Sequence, residues 1–395
     1  METVPGVKKI AVLRANALGD YIFGLPALDS LRAAYPDAEI VLLGAEWHTR
    51  VLSGRPGPVD RVVAVPDLEH PPRQFLDWAR AERFDLALQL HGGGKQSNPV
   101  VSALGARVTA GLRAADAPPL DRWIPYVYYQ PEVFRYLEVV GLVGAAPVTV
   151  EPSFALSPGD HAEARRVIGS SGPLRAALHP GATDPRRRWP PERFAAVGDA
   201  LAAAGAEVLV TGTGGERDLV AQVCAAMRRP VRPLVDALSI GGLAALYAGC
   251  AVVISNDTGP LHLAGAVGAG TVGLYWVGNM INGASPYRKR CRPMISWTIH
   301  CPECGLDCTR DLYPERAGGT GCRHTPSFVA DISVAEVERE ALDLLTARRP
   351  DRAGQPHGAG QPHRAGQPDR AGQPDGHAAA SPDRDAVRRG LPVSR

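Results

Sequence analysis

No stretch of this 395-residue chain approaches the roughly 18 uninterrupted apolar residues of a membrane-spanning helix. The amino terminus also lacks the apolar segment and small-residue cleavage site of a secretory signal, since METVPGVKK runs straight into the strand-like IAVLR. A cytoplasmic protein is expected, with any membrane contact peripheral and on the inner face. An excess of charge of one sign is missing as well. Forty-three basic residues oppose 41 acidic ones, for a formal net charge of +2, so bulk electrostatics do not favour a polyanion and nucleic acid is not an expected partner. Lysine is nearly absent, at four residues against 39 arginines. With the heavy use of Ala, Gly and Pro this marks a GC-rich coding sequence and says nothing of function. Cysteine is sparse until residue 291, after which five of the seven fall close together.

What is present is an alternation of apolar runs and helical patterns, twice over. Residues 7 to about 150 contain VKKIAVLR, AEIVLLG, RVVAV and FDLALQL, a helix around Leu25 to Tyr35, and a less regular stretch through Tyr126 to Tyr129. Such alternation predicts a parallel doubly wound sheet. From about Pro173 the pattern restarts with LRAALHP, a helix from Pro191 to Ala204, AEVLVTG, helices over Gly215 to Met227 and around Ile240 to Ala248, then AVVIS and TVGLYW. The reading is α/β, with Rossmann-like domains over 1–155 and 156–348 and EPSFALSPGDHAEA as the linker. Two such domains facing each other enclose a cleft, where small ligands bind. Between Arg352 and Asp375 run four imperfect copies of RAGQPH or RAGQPD, almost devoid of bulky apolar residues, so the tail 349–395 is expected to be disordered.

The densest chemical signal is AVVISNDTGPLHLAGAVGAGTVGLYW, residues 251–276. A continuous β-branched run of this kind fills a sheet covered on both faces, and ligands sit beyond the carboxyl ends of such strands. Asn256, Asp257 and Thr258 are helix-capping types, Pro260 suits a first helical turn, and Gly259 admits a ligand close to the backbone. Amides at that helix start would face a phosphate, with Asp257 and His262 both within reach of it. The plainer account makes Asp257 an N-cap and His262 a packing residue. Near the amino terminus, IAVLRANALGDYIFGLPALDSLRAAYP sets Asp20 beside Gly19 after the first strand, where a cap is again the plainer account. LHPGATDPRRRWPPERF supplies a glycine-bearing turn and three consecutive arginines. VLVTGTGGERDLV carries G-x-G-G after a strand but lacks the rest of a dinucleotide fingerprint.

Three of these strings, in this order, resemble the signatures of glycosyltransferase family 9, the ADP-heptose:lipopolysaccharide heptosyltransferases. They are the R-x-x-x-L-G-D-x-x-x-x-x-P-A-L segment from Arg14, the H-P-G-A segment ending in R-W-P-P-E, and D-T-G-x-x-H-L-A from Asp257. The resemblance spans about residues 7–345. It implies the GT-B fold of two facing Rossmann-like domains. It also implies inverting, metal-independent transfer of a sugar from a nucleotide-sugar donor to a cell-envelope glycan or glycolipid acceptor. By resemblance Asp20 is the general base and Glu216 binds the nucleotide ribose, with Thr211 to Thr213 lining the base pocket. Arg188 is the cation that offsets charge on the departing diphosphate, with Arg186 and Arg187 solvated. Asp257, Thr258, Gly259 and His262 are expected to hold the sugar or phosphate. His91, in QLHGGGKQSN, is a candidate acceptor contact. Tyr21 and Phe23 stand where smaller aliphatics are commoner, a change expected to alter acceptor fit. Sugar, base and acceptor stay open. The reading from a different class is a sugar-nucleotide epimerase or hydrolase with the same two-domain architecture.

The late cysteines are Cys301, Cys304, Cys308 and Cys322, with His324 two residues on. C-x-x-C with two further thiols has zinc-type spacing, and a cytosolic setting argues against disulfides. The four cysteines are therefore candidate ligands of a structural zinc, the alternative being thiols that merely pack a loop. Transfer itself is expected to need no cofactor.

Overall fold

A computed structural model describes residues 2–169, 172–285, 290–307 and 322–347. The predicted tail over 349–395 and Cys308 lie outside the described residues. The first half alternates β1 (Lys9–Leu13), α1 (Leu18–Ala34), β2 (Glu39–Gly44), α2 (Glu46–Leu52), β3 (Arg61–Ala64), α3 (Arg73–Ala81), β4 (Leu86–Gln89) and α4 (Ser97–Ala103). It closes with β5 (Val108–Arg113), β6 (Arg122–Pro125) and α5 (Glu132–Gly141). The six strands form one parallel sheet in the order β3-β2-β1-β4-β5-β6.

The second half runs α6 (Pro158–Ile168), β7 (Arg175–His179), α7 (Pro191–Ala203), β8 (Glu207–Gly212), α8 (Arg217–Ala226), β9 (Arg232–Val235) and α9 (Ile240–Gly249). It continues with β10 (Val252–Asn256), α10 (Gly259–Ala266), β11 (Gly270–Trp276), α11 (Val277–Gly283), β12 (Cys291–Ser296) and α12 (Val334–Ala347). Its parallel sheet has the order β12-β11-β10-β7-β8-β9. In each sheet the order reverses next to the strand that opens the half, β1 and β7, and such switch points open crevices at carboxyl ends.

Three expectations shift. The first helix begins at Leu18, not near Leu25, so Gly19 and Asp20 lie in its first turn and Pro26 sits inside it. Ser30 Oγ donates to the Pro26 carbonyl at 2.7 Å. The stretch before Tyr126 holds the short edge strand RWIP, whose proline is tolerated because no outer partner needs its N–H. The second half of the predicted linker is helix: Ser157 caps α6 by accepting from Asp160 N at 3.2 Å.

The halves share buried surface. Ala244, Leu263 and Ala266, from α9 and α10, belong to the apolar cluster built around β1 and α1. Arg55 pairs with Asp160 at 2.5 Å and 3.1 Å across the same boundary. Among the described residues no helix is long and apolar enough to cross a membrane.

Candidate active site

The loops at the carboxyl ends of β1 and β10 meet. A Cβ placed on Gly19 would lie 3.0 Å from His262 Cδ2 and 3.5 Å from Gly259 Cα, and one on Gly259 would lie 3.3 Å from the Gly19 amide nitrogen. Only glycine at both positions lets the starts of α1 and α10 touch this closely. The arrangement brings the Gly19–Asp20 pair against the Asp257–His262 turn.

Asp20 is both a cap and more. Its Oδ2 accepts from Ala17 N at 3.2 Å, and its Oδ1 accepts from Arg14 Nη2 at 3.1 Å. Arg14 is only 2% exposed. It also donates to the carbonyls of Leu90 and Asp20 and to Glu132 Oε2, and its guanidinium lies 4.5 Å from the Tyr136 ring centre. Glu132 in turn accepts from Arg135 and from the Tyr136 hydroxyl. Burial pushes the Glu132 carboxyl up, but Arg14 and Arg135 together hold it below its ordinary range. The Asp20 carboxylate is therefore oriented by a buried guanidinium behind it while one third of the side chain stays open.

In the second half, Asp257 is 6% exposed. Its Oδ1 accepts from His262 Nε2 at 3.1 Å, and its Oδ2 accepts from Asn279 Nδ2 at 2.9 Å and Arg187 Nη1 at 3.5 Å. Burial alone would raise its pKa, yet the bonds from His262 and Asn279 and the charge of Arg187 hold it below the ordinary carboxylate range. None of Asn256, Asp257 or Thr258 caps α10 with its side chain. Thr258 is the N-cap without a side-chain bond, and Asn256 instead accepts from Trp189 N at 3.0 Å and donates to the Pro180 carbonyl at 2.8 Å. The buried Asn256 thus binds the D-T-G turn to the H-P-G and R-W-P segments.

Arg188 Nε donates to the Ala182 carbonyl at 2.8 Å, which holds the turn, and it is Arg187 that reaches Asp257. Arg187 Nε is buried and, among the described residues, has no hydrogen-bond partner. Arg186 is not solvated either, being paired with Asp184 at 2.6 Å and stacked over Phe328.

Thr211 is 2% exposed. Its hydroxyl lies 3.1 Å from His179 Nδ1 and 2.8 Å from the Tyr247 hydroxyl, so it braces β7 and α9 rather than lining a ligand surface. Glu216 Oε2 accepts from Thr213 N and Thr213 Oγ1, and Oε1 stands 4.0 Å from His179 Nε2. Burial lowers the His179 pKa, although Glu216 opposes this. His91 turns inward: its Nδ1 accepts from Ala15 N at 3.2 Å and so shapes the loop before Asp20. Its pKa falls to about 4 through burial and then the nearby Arg14. Tyr21 packs in the core against Trp47 and His48, whereas Phe23 lies 4.5 Å from the His262 ring and lines a cavity of about 130 Å³ with His262 and Tyr275.

The profile of glycosyltransferase family 9 (heptosyltransferase) matches residues 75–311, more than half of the chain. The chain belongs to glycosyltransferase family 9. It is 24% identical over 301 residues to lipopolysaccharide heptosyltransferase 3 of Escherichia coli, covering 69% of this chain and 87% of that one. It is 26% identical over 295 residues to lipopolysaccharide heptosyltransferase 2 of Salmonella typhimurium, covering 68% and 82%. Among solved structures it superposes on a family 9 glycosyltransferase of Veillonella parvula with a TM-score of 0.70 and 21% identity, over 88% of this chain and 99% of that one. ADP-heptose lipopolysaccharide heptosyltransferase II of E. coli gives 0.66 and 21%, over 86% and 98%. The fold is GT-B, as the family resemblance implied, built from the two parallel α/β sheets that the strand patterns predicted.

In this family 9 glycosyltransferase, Arg14, Glu132 and Asn279 join the bonds around Asp20 and Asp257 without having been assigned roles from sequence, and Asn256 and Arg187, read there as a helix cap and as solvated, are partners of Trp189 and Asp257. Arg14 carried a signal, since a charge at the end of an apolar strand is buried only if paired. Asn279 carried none, because α11 follows no polar motif.

Proposed function

We propose that this enzyme transfers a heptose-type sugar from an ADP-linked donor to a hydroxyl of a lipopolysaccharide or related cell-envelope glycan, by inverting, metal-independent chemistry. The donor and acceptor classes are those of its relatives, the lipopolysaccharide heptosyltransferases and the ADP-heptose heptosyltransferase of E. coli. In this reading the acceptor is bound by residues 1–155 and the donor by 156–348, at the inner face of the membrane. Asp20 takes the proton from the acceptor hydroxyl as its oxygen bonds to the anomeric carbon from the face opposite the phosphate. The bond from that carbon to the diphosphate oxygen breaks, and the nucleoside diphosphate leaves with the bonding electrons. Arg187, with an Nε still uncommitted, and the first amides of α10 meet that charge. Asp257, His262 and Asn279 hold the turn that presents them, and Glu216 faces the ribose.

The observation that carries the reading is the contact of Gly19 with Gly259, which sets a guanidinium-oriented carboxylate against an uncapped helix start. The test is Asp20→Asn, assayed for transfer and for thermal stabilisation by ADP-, GDP-, UDP- and dTDP-sugars. Turnover is expected to fall about a hundred-fold or more while ADP compounds still raise the melting temperature. Undiminished turnover would remove Asp20 as the base. Preference for another nucleotide would keep transfer and discard the ADP donor. Equal release of nucleoside diphosphate without acceptor would favour the hydrolase or epimerase reading.

A further inference from the structure

The late cysteines come together in space, although not as the set that spacing alone offers. Cys301, Cys304, Cys322 and His324 place one ligand atom each within 4.8 Å of one another. Cys304 Sγ and Cys322 Sγ are 3.7 Å apart, Cys322 Sγ and His324 Nδ1 are 3.5 Å apart, and Cys301 Sγ and His324 Nδ1 are 3.7 Å apart. Tetrahedral zinc with its usual bond lengths separates two thiolates by about 3.8 Å and a thiolate from an imidazole nitrogen by about 3.6 Å. Three of the six edges of a zinc tetrahedron are thus already close to length, and all four ligand atoms, from two segments, lie within 4.8 Å of one another.

The surroundings fit the same ion. Gly305, at φ +72°, closes the turn, with Gly305 N donating to the Cys301 carbonyl and Cys301 N to the Leu306 carbonyl, each at 2.9 Å. The other ring nitrogen of His324 lies 3.6 Å from Glu303 Oε2, the carboxylate partner that fixes ring orientation at metal-bound histidines.

We propose that Cys301, Cys304, Cys322 and His324 bind one zinc ion, which clamps the 322–329 segment as a brace behind the donor-side arginine turn. That segment is bonded directly to the turn. Phe328 N donates to the Arg186 carbonyl at 2.7 Å, Ser327 Oγ to the Arg188 carbonyl at 2.6 Å, and Arg186 Nη1 to the Cys322 carbonyl at 3.4 Å. The Phe328 ring also lies under Arg186. Arg187 stands between the two braced arginines, so the ion acts on the transfer site through position and touches no substrate. The metal site stands on its own geometry, whereas the effect on the donor rests on the assignment of Arg187.

The test uses the full chain purified without a metal-chelating tag. Elemental analysis is expected to give one equivalent of zinc, released when a mercurial caps the thiols. Cobalt replacement should give the intense visible bands of a tetrahedral thiolate site. Cys304→Ser and His324→Asn, which remove direct ligands, should each weaken zinc affinity by more than the roughly hundred-fold that loss of an outer-shell partner can cost, with Cys224→Ser unchanged as a control. In the ligand variants kcat should fall several-fold, in the same direction as Arg187→Ala but by less, because the arginine is displaced and not removed. One equivalent of iron would keep the site and overturn zinc as its occupant. Neither metal, together with no cobalt spectrum from the native chain, would overturn the site even if the variants fail to fold. Stoichiometric zinc whose removal leaves kcat unchanged would overturn the brace alone.

Discussion

Glu216 reaches across Gly181 so closely that a methyl group on Gly181 would fall 1.8 Å from the Glu216 carboxylate oxygen. The overlap is with the far end of a flexible side chain, so the protein can relieve it by turning Glu216 away. Gly181→Ala is therefore expected to change the melting temperature little while moving the carboxylate from its place beside His179 and Thr213. If Glu216 faces the ribose, donor KM rises about tenfold, the effect of losing one hydrogen bond to a charged group. A matching loss in Glu216→Gln, measured by donor titration, checks the assignment. Unchanged donor affinity in both variants would remove Glu216 from the donor site.

The contact between Gly19 and Gly259 yields a second prediction. A Cβ on Gly259 meets Leu18 Cβ at 3.0 Å and the Gly19 backbone nitrogen at 3.3 Å, so the starts of α1 and α10 must part by a few tenths of an ångström. Gly259→Ala should cost about 1–3 kcal/mol of stability, in the range of overpacked contacts. Transfer should fall further than that loss explains, because the two halves of the cleft move apart together. Chemical denaturation set beside transfer rates at a temperature where the variant is folded separates the two effects.

How far the sequence led can be judged from these same residues. The two parallel sheets were legible because runs such as AVVIS and IAVLR are apolar on both faces, and β-branched runs of that length have few alternatives. Asp20, Asp257 and His262 were legible as a group, since their motifs end strands that turn out to be β1 and β10. What eluded reading depends on side-chain direction: among three adjacent arginines nothing in RRR distinguishes the one that turns to Asp257 from its neighbours. The same holds for His91, which points at Ala15 rather than outward, and for Thr211, whose hydroxyl is consumed by His179 and Tyr247. The metal tetrahedron lies between the two outcomes. C-x-x-C was visible, while the inclusion of His324 required the fold.

Three histidines, His48, His91 and His179, make stability depend on pH, because burial lowers each of them. Burial, ahead of the smaller electrostatic influences, lowers His48 and His91 to about 4 from an ordinary 6.5. The unfolded chain therefore takes up these protons first as pH falls. Their neutral forms are fully compatible with folding above pH 6.5, and stability drains away between about 6.5 and 4, by on the order of 2 kcal/mol for each residue. Asp257 and Glu132, both held below the carboxylate range, withdraw their contributions only in more acid solution. Urea unfolding at pH 7.5, 5.5 and 4.5 should show the decline, and His91→Asn should remove part of it. A wild-type profile flat across that window would refute the buried neutral histidines.

The sharpest discrimination is between neighbours in the arginine turn. Arg187 contacts the Asp257 carbonyl at 3.3 Å and its carboxylate at 3.5 Å, both long, and its buried Nε is unpartnered. A guanidinium so loosely engaged retains donors for a diphosphate, whereas Arg188 spends its Nε on the Ala182 carbonyl at 2.8 Å. Arg187→Ala should therefore lower kcat by about a hundred-fold or more, the magnitude seen when a donor to developing charge is removed. It also leaves Asp257 with two partners, His262 and Asn279, so the melting temperature should fall as well. Arg187→Lys should recover part of the rate, since a cation remains but the planar fork is lost. Arg188→Ala should act chiefly on stability, by about 1 kcal/mol for its carbonyl bond, with turnover largely kept. Measured side by side for kcat, donor KM and melting temperature, the reverse ranking would move the role of counter-charge back to Arg188. It would then make Arg187 a strut for Asp257.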